Sequence, residues 1–224
     1  MLRGVRIRMR ENRIRLQTVE DNIRGGYIPY SRSLYWAAEK EETLPTVEVF
    51  MTQKAFLRCC VHAGSSLDQE VGGWLVGQLR TDHKSRKRYM VVEGALPAPF
   101  TERGSAFLTF TQDSQVALHA DMEARYPGAE LLGWYHTHPR MGIFFSDYDA
   151  WLHSHFFHET WQVALVIEPV SQAGGFFIRQ HDGTLDQRAY FGFYELTNRG
   201  RSVVFWKNLA RRSLDIPAGE ELQA

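Results

Sequence analysis

Residues 133–149 read Gly-Trp-Tyr-His-Thr-His-Pro-Arg-Met-Gly-Ile-Phe-Phe-Ser-Asp-Tyr-Asp, and this stretch decides how the whole chain is interpreted. His136 and His138 stand two residues apart at the end of a predicted strand, so both imidazoles lie on the same face. The strand stops at the following proline, and a helix predicted to begin at Ser146 places Asp149 in its first turn. Two nitrogen donors and a carboxylate form a ligand set that suits zinc. The segment therefore predicts a metal site where a strand meets a helix.

Three protein ligands leave the fourth position of a tetrahedral ion for water, which is the arrangement of catalytic zinc sites. Such a site also needs a base that takes the proton of the water. Glu70 is the candidate, because it begins the segment Glu-Val-Gly-Gly-Trp-Leu-Val-Gly, a predicted strand in which Gly72 and Gly73 permit close backbone approach. The sequence thus predicts one zinc ion per chain together with a base.

The surrounding patterns predict an α/β domain. Predicted strands cover residues 47–51, 74–79, 89–93, 107–110, 131–136, 163–167, 175–178, 188–193 and 203–206. Predicted helices follow Thr52 to about Ala63, cover 113–126 and cover 146–157. Strands interleaved with three helices are typical of a curved mixed β-sheet flanked by helices.

The N-terminal part of the chain differs from the rest in charge. Residues 1–44 carry nine Lys or Arg and six Asp or Glu, and the remaining residues offset this excess, so the 224-residue chain has a formal charge of zero. Residues 5–16 alternate apolar side chains with Arg and predict a short hairpin, whereas 17–44 show no clear period. We predict an N-terminal extension over 1–44 that packs on a domain over 45–195, followed by a C-terminal strand and tail over 196–224. The charge offset predicts that the extension docks electrostatically as well as through its aromatic residues.

Composition excludes several classes of protein. The longest strictly apolar run is residues 163–167, far short of the roughly 20 residues of a membrane-spanning helix. The Arg-rich start lacks the apolar stretch of a secretory signal, so we expect a cytoplasmic protein without a membrane partner. The two cysteines, Cys59 and Cys60, are adjacent, so they do not make an ordinary disulfide and are too few for a Cys-rich zinc cluster. We expect buried, inert thiols.

Taken together, the motif positions resemble a known family. The pattern His-x-His-x7-Ser-x-x-Asp, with an upstream Glu-x-Gly-Gly-x-Leu-x-Gly, is similar to that of the JAMM (MPN-plus) zinc metalloproteases of prokaryotic type. The resemblance covers roughly residues 46–195. It implies that the two histidines and Asp149 bind zinc, that Glu70 is the general acid and base, and that Ser146 hydrogen-bonds the tetrahedral oxyanion.

The resemblance also implies a substrate class. Similar proteins hydrolyse a peptide or isopeptide bond after the C-terminal glycine of a ubiquitin-like protein. In such proteins the loop before the histidine strand grips the substrate tail as an added strand, which assigns residues 96–106, with Phe100 and Gly104, to substrate binding. Phe144 and Phe145 lie in the loop between the second histidine and the serine, so they are further candidates for substrate contact.

Each part of the motif also has a simpler interpretation. Two histidines on a strand are commonly structural, and Ser-x-x-Asp is a common pattern at a helix N-terminus. His153 lies one helical turn beyond Asp149, so it is a candidate for a hydrogen-bond partner of the site or an accessory ligand.

Other functions remain open as well. The alternatives are a non-catalytic MPN-type module that binds a ubiquitin-like partner, a nucleic-acid-associated MPN-like protein, and an enzyme that trims a sulfur-carrier protein. The basic cluster at residues 84–88 is typical of a solvated hairpin tip, so we do not expect nucleic-acid binding. The sequence leaves the oligomeric state open.

Overall fold

The structure is a computed structural model that describes residues 23–39, 45–98, 101–103, 108–110 and 112–213. In these residues the strands are β1 Arg24–Gly26, β2 Ser33–Ala38, β3 Glu48–Thr52, β4 Gly72–Asp82, β5 Arg88–Pro97, β6 Thr101–Arg103, β7 Leu108–Phe110, β8 Glu130–Thr137, β9 Val163–Glu168, β10 Ala173–Phe177, β11 Phe193–Leu196 and β12 Leu209–Arg212. The helices are α1 Gln53–Ala63, α2 Gln112–Arg125 and α3 Asp147–Phe156, with a 3-10 turn at Tyr30–Arg32. The predicted hairpin at 5–16 lies outside the described residues.

Ten strands form one mixed sheet. Their order is β10-β9-β8-β4-β5-β3-β11-β2-β12, with β1 beside β4, and β6 pairs separately with β7. The β8–β9, β3–β5, β3–β11 and β1–β4 pairs are parallel, and the others are antiparallel. The sheet bends back on itself, because Phe176 of β10 exchanges two backbone hydrogen bonds of 2.9 and 2.8 Å with Phe191, just before β11. The prediction of a curved mixed sheet flanked by helices is confirmed.

Two apolar clusters fill the two sides of the sheet. On one side, Phe56 and Cys59 of α1 pack on buried residues of β3, β4, β5 and β9. On the other side, Leu152 of α3 packs with Trp134 of β8 and Phe177 of β10. In the part of the chain that the structure describes, no helix is both long and apolar enough to cross a membrane.

The two cysteines lie on α1 and form no disulfide. Cys59 is fully buried and Cys60 is partly buried. Burial raises the pKa of both thiols, that of Cys60 to about 12. Because the thiolate is the reactive form, neither cysteine is prepared to act as a nucleophile.

Two predicted strands lie elsewhere than expected. A strand was predicted over 188–193, but β11 begins only at Phe193, because the N–H groups of Arg188 and Ala189 turn back to the Asp186 carboxylate. A second strand was predicted over 203–206, whereas β12 starts at Leu209.

The second shift has its cause in the buried Glu195 of β11. The Ser202 hydroxyl and the Val203 N–H donate hydrogen bonds to this carboxylate, at 2.5 and 2.8 Å. The Val203 N–H is therefore bonded to a side chain and is not available to pair with a neighbouring strand. A carboxylate in the core therefore overrides the local β-propensity of an apolar run.

Residues 17–44, in which the sequence shows no clear period, contribute two strands to the sheet. β1 pairs with the end of β4, and β2 lies between β11 and β12. Trp36 of β2 also donates a hydrogen bond of 3.0 Å to the Glu195 carboxylate. Residues 24–26 and 33–38 of the predicted extension are thus held by strand pairing.

Candidate metal centre

The strand β8 delivers the two histidines. It lies between β4 and β9, and the alternation of its side chains places Trp134 and His136 on the side of α3, with Tyr135 on the side of α1. His138 follows the strand directly, and its N–H donates a hydrogen bond of 2.9 Å to the carbonyl of Ile167 in β9. Both imidazoles therefore lie on one face, as the spacing predicts.

The helix α3 delivers Asp149. Ser146 is its N-cap: the hydroxyl accepts a hydrogen bond of 3.1 Å from the Asp149 N–H, and the Ser146 N–H donates one of 2.8 Å to Asp149 Oδ2. The Ser146 hydroxyl also donates to Oδ2, at 2.7 Å. The prediction that a helix begins at Ser146 is confirmed; the two residues form a capping box, whose bonds fix the direction of the Asp149 carboxylate.

The three side chains converge on one point. His136 Nε2 lies 3.0 Å from His138 Nε2 and 3.3 Å from Asp149 Oδ1, and His138 Nε2 lies 3.4 Å from Asp149 Oδ2. All three residues are at most 4% exposed. Burial would raise the pKa of Asp149, but the neighbouring His136, with His138 and Ser146, holds it well below its usual range. The carboxylate is thus kept in the charged form that binds cations.

The group fits a metal ion by its donor chemistry. The donor atoms of His136, His138 and Asp149 all lie within 4.8 Å of one another. His136 Nε2 and His138 Nε2 point at each other, 3.0 Å apart, and the Nδ1 atoms of both rings have no hydrogen-bond partner among the described residues, so each ring can present its Nε2 lone pair to a cation. Buried nitrogen and carboxylate donors that meet in this way could hold a metal ion.

Glu70 stands beside this group, just before β4. Its Oε1 lies 3.9 Å from His138 Nε2, the residue is 2% exposed, and its Oε2 has no hydrogen-bond partner among the described residues. Burial raises the pKa of Glu70 to about 7; His138 lowers it and Asp149 raises it. A carboxyl group with a pKa near neutrality can both accept and return a proton.

Gly72 allows β4 to lie close to β8 beside the two histidines. It is paired with His136 across the β4–β8 ladder, and a Cβ placed on it would lie 2.5 Å from the Tyr135 carbonyl oxygen and 3.2 Å from the Cβ of His136. The predicted close backbone approach is therefore present at this position.

Trp134 is a member of the site that the sequence reasoning did not single out. Its ring stacks on His136 at 4.4 Å with an interplanar angle of 13°, and its Nε1 donates a hydrogen bond of 3.0 Å to His153 Nδ1. The period of two that pairs the histidines also puts Trp134 on their face, so the strand pattern contains the signal.

His153 is not part of the ligand group found among the described residues. Its Nδ1 accepts the bond from Trp134, and burial lowers its pKa to about 3, so the ring is neutral. The structure therefore favours the hypothesis that His153 is a hydrogen-bond partner of the site, which it contacts through Trp134, over the hypothesis that it is an accessory ligand.

The predicted substrate-contacting residues differ in position. Phe144 is half-buried, and its ring centroid lies 4.6 Å from that of His138. Phe145 is 1% exposed and stacks on Phe177 in the core, so it is too buried to contact a substrate. Of the two phenylalanines, only Phe144 is accessible to one. Phe100 and Gly104 lie outside the described residues.

The fold and the site together define an α/β domain with a buried His-His-Asp group at the junction of a central strand and a helix. The family described as prokaryotic homologs of the JAB domain matches residues 52–182, which is more than half of the chain, and the chain belongs to this family.

The solution structure of protein DSY2949 from Desulfitobacterium hafniense is also similar to the chain. The two are 21% identical, with 68% of this chain and 97% of that chain covered and a TM-score of 0.49. A comparison with curated proteins gave no match.

Proposed function

We propose that this chain is a zinc-dependent metalloprotease of the JAMM type, which hydrolyses a peptide or isopeptide bond at the C-terminus of a ubiquitin-like protein. The observation that carries this proposal is the buried Glu70 carboxyl, 3.9 Å from His138, beside the ligand group. Titratable groups with raised pKa values next to a metal-binding cluster are typical of hydrolytic sites. A module that only binds a partner has no need of such a base.

His136, His138 and Asp149 would hold the ion. Zinc, when bound there, polarises the scissile carbonyl and lowers the pKa of water to about 7. Glu70 takes a proton from the attacking water as the new C–O bond forms. It then gives this proton to the leaving amine as the C–N bond breaks, so protons balance over the reaction.

Ser146 has two tasks in this proposal. Its N–H donates to Asp149 Oδ2 at 2.8 Å, a bond that does not use the hydroxyl, so the hydroxyl is available for a second partner. The freed hydroxyl then donates to the oxyanion that forms at the substrate carbon. Removal of one such donor costs about 2.7–4 kcal/mol in comparable sites.

The substrate class rests on the family resemblance. Phe144 is half-buried, with its ring centroid 4.6 Å from that of His138, and we assign it to contact with the substrate residues next to the scissile bond. We assign the segment over 96–106, which includes β6 and the predicted Phe100 and Gly104, to the extended tail of the ubiquitin-like protein, which it would bind as an added strand. We place the activity in the cytoplasm, where the free thiols of Cys59 and Cys60 stay reduced.

Substitution of Glu70 and substitution of the proposed zinc ligands are expected to have different effects on zinc content. Glu70→Gln keeps about one zinc per chain and lowers kcat by about 10²–10⁴-fold, because the general base is lost while the ligands remain. His138→Ala and Asp149→Ala lose zinc as well as turnover. Zinc content is measured by elemental analysis, and cleavage is measured on a ubiquitin-like protein fused through its C-terminal glycine to a reporter peptide, with and without a chelator.

Exposed residues of the same types serve as controls. Glu123→Gln and His155→Ala change side chains on the outer surface of α2 and α3 and are expected to leave zinc content and kcat unchanged. If Glu70→Gln cleaves at the rate of the unsubstituted chain, Glu70 is not the base. If the unsubstituted chain binds the fusion and cleaves none of it at any zinc concentration, the chain is a binding module.

A further inference from the structure

The segment that carries Glu70 and the segment that carries the histidines are joined by a pair of hydrogen bonds at Thr137. The Thr137 N–H donates to the Val71 carbonyl oxygen at 2.9 Å, and the Val71 N–H donates to the Thr137 hydroxyl oxygen, also at 2.9 Å. Thr137 is fully buried and Val71 is 2% exposed. A side chain thus supplies one of the two acceptors in this pair.

This pair of hydrogen bonds lies just beyond the end of the β4–β8 ladder, between the segments that carry Glu70 and the histidines. The β4–β8 ladder ends at the pairing of Gly72 with His136, so the backbone of Glu70 lies beyond the last ladder pair. The hydrogen bond to the Thr137 hydroxyl connects the two segments one residue beyond the ladder, at Val71, which is next to Glu70. Because β-strand side chains alternate, this hydroxyl lies on the face opposite the two imidazoles and does not compete with them.

A second connection joins the same two segments. Arg140 Nη1 donates hydrogen bonds of 2.9 Å to the Leu67 carbonyl oxygen and 2.8 Å to Asp68 Oδ1. Arg140 has a φ of 61°, a left-handed conformation that is uncommon for a residue with a side chain, and its N–H donates to Glu168 Oε1 at 3.0 Å. The arginine is exposed, so its ion pair contributes less than the buried bond at Thr137.

We propose that Thr137 is a positioning residue for Glu70, with Arg140 as a weaker second support. Thr137 and Val71 are 66 residues apart in the sequence, and the hydrogen bond between them sets the distance between the segment of the two histidines and the segment of Glu70. This inference rests on the proposed role of Glu70 as the base. Thr137 itself touches neither the ligand atoms nor the Glu70 carboxyl; it acts through the backbone of Val71.

The test compares Thr137→Val with Thr137→Ser. Valine keeps the shape of threonine but leaves the Val71 N–H without an acceptor, whereas serine keeps the acceptor. Amide hydrogen exchange of peptides covering 66–72 is expected to be faster in Thr137→Val, with zinc content unchanged. For the cleavage reaction, kcat is expected to fall about tenfold or more at an unchanged KM, because a small displacement of a catalytic group is costly. Thr137→Ser is expected to restore both measurements.

Two results overturn the inference: exchange and kcat in Thr137→Val that equal those of the unsubstituted chain, or loss of zinc from that variant, which would make Thr137 a support of the ligands. If Thr137→Val does not fold, the surface variant Arg140→Ala is measured in its place. It is expected to show faster exchange at 66–72 with a smaller loss of kcat. Unchanged exchange at 66–72 in Arg140→Ala would also overturn the inference. If the unsubstituted chain cleaves no substrate, the proposed function fails, and hydrogen exchange still decides whether Thr137 orders this segment.

Discussion

Glu168 is a buried carboxylate at the end of β9 that is satisfied by backbone N–H groups. It accepts hydrogen bonds from Arg140 at 3.0 Å, from Val170 at 2.9 Å and from Ser171 at 2.6 Å. Burial alone would raise the pKa of Glu168, but the hydrogen bonds from Ser171, Arg140 and Val170 bring it below its ordinary value of 4.5. The residue is therefore charged at neutral pH and holds the turn after β9 to the loop after the second histidine.

Glu168→Gln tests this residue by the pH dependence of stability. At pH 7 the free energy of unfolding is expected to fall by about 1.5–3 kcal/mol, because a hydrogen bond to a charged acceptor is lost and an amide N–H faces a backbone N–H. A carboxyl whose pKa is lower in the folded chain stabilises it above the unfolded-state pKa. This contribution is lost as the pH falls below about 4.5 and through the folded-state pKa.

The measurement is urea unfolding of both metal-free chains at pH 7 and at a series of acid pH values. The difference in unfolding free energy between Glu168→Gln and the unsubstituted chain is expected to shrink towards acid pH. A difference that stays constant down to pH 3 would show that the charge of Glu168 contributes nothing.

At the scale of elements, the site depends on how closely β4 approaches β8. Gly72 faces His136 in this ladder, and only the absence of a side chain allows the present spacing. Both strands continue into site residues: Glu70 lies just before β4, and His138 lies just after β8. Any shift between the strands therefore moves Glu70 relative to the two histidines.

Gly72→Ala is expected to lower the unfolding free energy by about 1–3 kcal/mol and to weaken zinc binding, because the added Cβ would meet the Tyr135 carbonyl oxygen at 2.5 Å. Thermal unfolding and zinc titration measure the two effects. Gly64→Ala, at the end of α1, is the matched control: its Cβ would lie 3.4 Å from the Cys60 carbonyl oxygen, and its φ of −72° suits alanine. Equal behaviour of the two variants would contradict the assigned role of Gly72.

At the scale of the whole molecule, β2 is an internal strand of the main sheet. It pairs with β11 on one side and β12 on the other, and Tyr35 of β2 stacks on Tyr194 of β11 at 4.6 Å. The charge difference between residues 1–44 and the rest of the chain led to an expectation of electrostatic docking. The stacking of Tyr35 agrees with the aromatic part of that expectation, whereas the electrostatic part stays a prediction; the backbone hydrogen bonds and ring packing of β2 are not screened by salt.

Limited proteolysis at two salt concentrations tests this point. Cleavage within 33–38 is expected to be equally slow in 50 mM and 1 M sodium chloride, because strand pairing protects the backbone at both. Mass spectrometry of the fragments over time measures the rate. Cleavage in this segment that becomes several times faster in 1 M salt would show that charge also holds β2 in place.

Much of the site follows from local patterns in the sequence. The strand period puts His136 and His138 on one face, and the Ser-x-x-Asp pattern starts α3 with Asp149 in its first turn; both predictions agree with the structure. These features depend on residues close together in the chain, whose geometry is set by backbone dihedral preferences. The resemblance to the JAMM family rests on the same residues and agrees with the family match over residues 52–182.

The tertiary structure decided the features that depend on distant residues. Glu195 accepts bonds from residues of β2, α1 and the 202–203 segment, and this carboxylate moved the last strand to Leu209. Equally, no local pattern marks Thr137 as the partner of Val71 or places β2 inside the sheet. By itself, the sequence determined the class of fold and the meeting of two histidines with Asp149, because short-range periodicity encodes them. The position of Glu70 and the order of the strands required the folded chain, because long-range hydrogen bonds and burial decide them.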